Sequence, residues 1–145
     1  MKILLVIDLQ KQFETKEATK VVEFINNNRE KYDIVMGTFF NGGNINFKRN
    51  EFFIEAKKED ILVPCDVIVE KDTYAFNLPL FVTDTCEIDI VGCDLDACIL
   101  ATCFMLWDEG IRFRVLKDYI YSNMNNCPEN AIYSIMERNF GKVLI

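Results

Sequence analysis

No histidine occurs among the 145 residues. Its absence removes the side chain that most often serves as a general base and the commonest nitrogen ligand for zinc. None of the six cysteines, at 65, 86, 93, 98, 103 and 127, forms a C-x-x-C pair, which argues against zinc knuckles and thioredoxin-like motifs. Positive charge is scarce: 16 lysines and arginines against 23 aspartates and glutamates leave a formal charge of −7. A protein that neutralises nucleic-acid phosphates or anchors on anionic lipid needs the opposite balance, so neither partner is expected. No apolar run approaches the ~20 residues of a membrane span. The opening MKILLVIDLQ lacks a small-residue cleavage site and runs into charged residues. It therefore reads as a strand rather than a signal peptide, and a cytoplasmic location is expected. Repeats, low-complexity tracts and linkers are also missing, so residues 1–145 are expected to form one domain.

What is present alternates. KILLVIDL, YDIVMGTFF, DVIVEK, EIDIVGC, IRFRVLKDY and KVLI read as six strands. The continuous apolar run of KILLVIDL suits a strand buried on both faces. Between them, TKEATKVVEFINNN, DACILATCFMLWDEG and CPENAIYSIMERNFG have helical patterning, and NEFFIEAKKED reads as an ambiguous short helix. Pro128 suits a first helical position, and Gly110 and Gly141 suit helix stops. This alternation predicts an α/β fold with a parallel sheet and helices on both faces. In such sheets the ligand crevice lies beyond the carboxyl ends of the strands. Asp8, Lys71 and Cys98 all fall at or just after such ends.

Cys98 is expected in the first turn of a buried helix, with Asp96 as its N-cap. Free N–H groups there lower a thiol below its ordinary value of about 8.5 and can hold an oxyanion. With no histidine to act as base, Asp8 is the best candidate to take the thiol proton, and Lys71 would balance the two acids. Each residue also has a plainer reading: Cys98 as core, Asp8 as a turn cap, Lys71 as a solvated strand end, Asp94 and Asp96 as turn and cap. The rings of Phe13, Phe39, Phe40 and Phe76 read mainly as core. Those near the strand rim would join Tyr74 in a small, partly aromatic pocket, which is assigned to Phe13, Phe39, Tyr74 and Phe76. A flavodoxin-like nucleotide or flavin domain is disfavoured, because DLQKQF offers no glycine after the first strand.

Three segments in order, LLVIDLQKQF, VEKDTYAFNLPL and VGCDLDACILATCFMLWDEG, resemble the isochorismatase-like cysteine hydrolases, which include nicotinamidases and N-carbamoyl amidohydrolases. The closing AIYSIMERNFGKVLI resembles that family's last helix and strand. The resemblance implies a three-layer α/β/α sandwich with a mostly parallel, roughly six-stranded sheet and an Asp8–Lys71–Cys98 triad. It also implies a non-proline cis peptide at Cys93–Asp94 and an oxyanion hole from the backbone N–H groups of Asp94 and Cys98. The activity implied is cleavage of a C–N bond in a small amide or carbamoyl compound through a thioester on Cys98. A homo-oligomer is implied as well. Departures from the pattern are the lack of histidine, which removes the metal site of the nicotinamidases, the Asp94–Leu95 pair where small or hydroxyl residues are usual, and the short chain. Neither metal nor cofactor is therefore expected. The alternative is a non-catalytic ligand-binding or interaction protein with a degenerate site.

Overall fold

Apolar residues that alternate in direction along a strand can feed two cores at once, and the first strand does this. In β1 (Lys2–Ile7), Ile3, Leu5 and Ile7 enter one hydrophobic cluster while Leu4 and Val6 enter another. The computed structural model describes residues 1–52 and 54–145. Its sheet contains β1, β2 (Ile34–Phe40), β3 (Val67–Lys71), β4 (Glu87–Gly92) and β5 (Arg112–Ile120), in the order β3-β2-β1-β4-β5 with every pairing parallel. The first face is covered by α3 (Leu100–Asp108) and α4 (Glu129–Phe140), whose Cys103, Leu106, Ile132 and Met136 join the cluster of Ile3, Leu5 and Ile7. The second face is covered by α1 (Lys16–Asn28). There Ala18, Val21 and Ile25, at helical spacing, bury one stripe against Leu4 and Val6. The expected α/β/α sandwich is thus present.

Two elements differ from expectation. The sixth strand, KVLI, makes a single parallel bridge, Val115 with Leu144, and a few backbone hydrogen bonds to β5. The run starts from a bend in which the Val143 N–H donates to the Gly141 carbonyl. The short helix expected within 50–60 lies earlier, as α2 (Ile45–Arg49), where the Asn44 side chain caps the Asn46 N–H. Among the described residues of 50–60, Lys58–Asp60 forms a 3₁₀ turn; Phe53 lies outside them.

The sheet order reverses at β1: the chain leaves it toward β2 on one side and returns at β4 on the other. A switch of this kind opens a crevice between the loops after the two strands. Gly92, at the end of β4, makes the close approach possible. Its φ is +115°, and a Cβ there would stand 2.2 Å from the Ile7 carbonyl oxygen. We expect Gly92→Ala to destabilise the fold by about 2–5 kcal/mol, combining backbone strain with overpacking. Chemical denaturation would detect this, and a loss under about 1 kcal/mol would show that the β1–β4 rim yields easily.

Candidate active site

Asp8 follows β1 in a left-handed conformation, φ +48°, which is uncommon for a residue with a Cβ. Local bonds hold it there. Its N–H donates to Thr38 Oγ1 at 3.0 Å, and the same hydroxyl donates to Asp8 Oδ1 at 2.6 Å. Gln10 pins the rim beside it. Its side-chain amide donates to the Phe40 carbonyl and accepts from the Phe40 N–H, at 3.0 and 2.9 Å, as a strand neighbour would.

Lys71, the last residue of β3, reaches across β2 to the same point. Its ammonium is 3.0 Å from Asp8 Oδ2, with both side chains at most 2% exposed. It also donates to the Tyr74 carbonyl at 2.7 Å and lies 5.5 Å from the centroid of Phe40. Asp8 Oδ2 accepts no well-aligned hydrogen bond from the described residues. The geometry is that of an ion pair with one acceptor lone pair still open.

The third side chain comes from the turn after β4. The Cys93–Asp94 peptide is cis, and residues Leu95–Ile99 form a π-helical turn leading into α3. The Ile99 N–H donates to the Asp94 carbonyl five residues back, at 3.0 Å, and Thr102 Oγ1 donates to the Cys98 carbonyl at 2.7 Å. Asp94, not Asp96, occupies the cap position, acting through its carbonyl; Asp96 lies inside the turn and accepts from Ser122 Oγ at 3.1 Å. Tyr121 fastens this turn to the rest of the site. Its N–H donates to the Gly92 carbonyl, its carbonyl accepts from the Leu95 N–H, and its hydroxyl donates to the Phe13 carbonyl.

The charges of Asp8 and Lys71 both act on the buried Cys98 thiol. The structure therefore brings together the three residues singled out in the sequence. The expected electrostatics are overturned, however. Burial pushes the Cys98 thiol well above its ordinary value, the Asp8 charge pushes it further, and Lys71 offsets only part of this. A helix start contributes about 0.3–1 kcal/mol, whereas burial can shift a titration by 3–5 units, or roughly 4–7 kcal/mol. Cys98 therefore rests as a thiol and needs a base.

Above the thiol opens a cavity of about 460 Å³. Five rings line it, Phe13, Phe40, Phe47, Phe52 and Tyr74, together with Glu51, Asp94 and Asn123 among others. Phe13, Phe40, Phe47 and Tyr74 form a run of neighbouring rings with centroids 5.1–6.0 Å apart. Phe13 and Tyr74 stand where the pocket was expected; Phe39 and Phe76 do not. Phe39 is fully buried away from the cavity because neighbours on a strand point to opposite faces, and Phe40 takes its place. Phe76 is buried in the larger of the two core clusters. Phe47, on the short α2, and Phe52 and Asn123, on segments without periodicity, carry no sequence signal for the pocket.

Asp94 lines the cavity and is partly buried. Its Oδ1 accepts the Asn123 N–H at 2.8 Å. Burial first, then the nearby Asp96 and Asp8 charges, raise its carboxyl to about 6 against the pull of the Asn123 bond. A nicotinamidase-type metal site does not fit these residues. The chain has no histidine, and among the described residues no three acidic or cysteine side chains are gathered to hold an ion. Among the described residues no helix is long and apolar enough to cross a membrane.

No protein-family model matches the chain, and no curated protein is significantly similar to it in sequence. Solved structures do match. A nicotinamidase from Bacillus subtilis superposes with a TM-score of 0.74 at 16% identity, covering 99% of this chain and 98% of that one. An N-carbamoylsarcosine amidase from Thermoplasma acidophilum gives 0.69 at 20% identity, with 99% and 94% covered. An isochorismatase-like hydrolase from Alkaliphilus metalliredigens gives 0.74 at 15%, with 99% and 94% covered. The chain has the isochorismatase-like hydrolase fold.

Proposed function

We propose that the protein is a cysteine hydrolase that cleaves the C–N bond of a small amide or carbamoyl compound. One observation carries this reading: a buried Asp8–Lys71 ion pair with an open acceptor on Asp8 acts on the thiol of Cys98, which lines an aromatic cavity. Asp8 takes the thiol proton as sulfur attacks the carbonyl carbon. The carbonyl electron pair moves to oxygen, where the backbone N–H groups of Asp94 and Cys98 receive the charge. Collapse breaks the C–N bond, and the proton held by Asp8 leaves with the nitrogen as ammonia or an amine. Water, losing its proton to Asp8, then attacks the thioester. The acid departs, and Asp8 returns its proton to sulfur. Lys71 holds the Asp8 carboxyl in position through their 3.0 Å ion pair.

The raised thiol favours a base-dependent nucleophile, but it also suits the second reading, a small-molecule binding protein with a degenerate site. Ammonia release from a panel of primary amides and carbamoyl compounds separates the two. The hydrolase releases ammonia from at least one member, whereas a binding protein shows saturable binding and no release. In either reading the partner is a small molecule, not nucleic acid or membrane, and a homo-oligomer is the proposed assembly.

A further inference from the structure

The cavity's lining has a sign. Five rings line it, whose faces carry negative potential, and its two carboxyl side chains, Asp94 and Glu51, add charge of the same sign. Among the described residues no lysine or arginine lines it. The nearby cation, Lys71, is committed below the floor to Asp8 and the Tyr74 carbonyl. Asp94 is also the residue whose N–H faces the reacting oxygen in the hydrolase reading, so its carboxylate sits beside the acyl group of anything bound. A neutral amide could gain no more than a hydrogen bond from that carboxylate, and an anionic amide would be repelled by it. A cation is attracted by both the carboxylates and the rings.

We infer that the site selects amides bearing a positive charge close to the carbonyl, with Asp94 as the specificity-determining residue and the Phe40–Phe47–Tyr74 wall as its aromatic complement. The placement of the carbonyl rests on the hydrolase reading, but charge selection is read by binding alone. The probes are betaine amide and its uncharged carbon isostere, 3,3-dimethylbutanamide, which differ in one atom and one charge. Their affinities would be measured by ¹⁵N chemical-shift titration, with ammonia release followed in parallel.

At pH 7.5 betaine amide is expected to bind about tenfold more tightly than the isostere. Asp94 titrates at about 6 and is faced by Asp8, Asp96, the Cys93 thiol and the Asn123 N–H. Its charge is present above that value and lost below it, while the trimethylammonium charge is constant. The preference is therefore expected to shrink at pH 5, and in Asp94→Asn to shrink at both pH values. The wild-type pH comparison stands even if the variant does not fold. Equal affinities at pH 7.5, a preference for the isostere, or binding of neither compound would overturn the inference. Selective binding without ammonia release would sustain charge selection and defeat the hydrolase reading. Ammonia release without selectivity would do the reverse.

Discussion

Cys98→Ala is expected to reduce ammonia release by at least about a thousandfold, the scale on which loss of a nucleophile acts when the rest of the site remains. Stability should change little, by about 1 kcal/mol, because the sulfur is a small group at a cavity floor. Cys103 is the matched control. It is buried in the same cluster, and burial alone pushes its thiol up to about 12. It has no acid or ammonium beside it among the groups that shift its titration. Cys103→Ala should lose comparable or greater stability and keep its turnover. Similar activity in the two variants would place the chemistry elsewhere.

Lys71→Met is expected to be the most damaging substitution for stability. It leaves the Asp8 carboxylate buried with its ion-pair partner gone, which costs about 3–5 kcal/mol. It also removes the positive charge that restrains the Cys98 thiol, so alkylation of Cys98 at a fixed pH should slow further. The double variant Asp8→Asn/Lys71→Met separates the two effects. With no charge left to bury, it should regain most of the lost stability, yet hydrolysis should not return, because the proton acceptor is missing. Denaturation midpoints for the two single variants and the double give the coupling directly. Additive losses would mean that the 3.0 Å contact carries no energy.

Much of this site was legible in the sequence because parallel α/β topology turns strand ends into one rim. Asp8, Lys71 and Cys98 needed only to be placed at the ends of β1 and β3 and just after β4 for the sheet to gather them. The pocket walls were less legible. Strand parity cannot be read from a run buried on both faces, so Phe39 and Phe40 were interchangeable on paper and opposite in space. Phe47 and Phe52 belong to a segment whose local structure is set by the Asn44 cap rather than by apolar periodicity. The thiol's ionisation is not legible, because a sequence shows where a helix begins but not how deeply its first turn is buried. Thr38, which fixes Asp8 from both its N–H and its carboxylate, carried no signal beyond being a polar residue inside an apolar strand.

The central claim is that carbon–sulfur bond formation at Cys98 precedes release of the acid. Wild-type protein supplied with cationic and neutral primary amides, quenched in acid during turnover and weighed intact, tests this most directly. The predicted result is a mass increase equal to the acyl group less one hydrogen, mapped to the peptide containing Cys98 and absent from Cys98→Ala. Steady ammonia release with Cys98 unmodified, or an adduct on another cysteine, would contradict it.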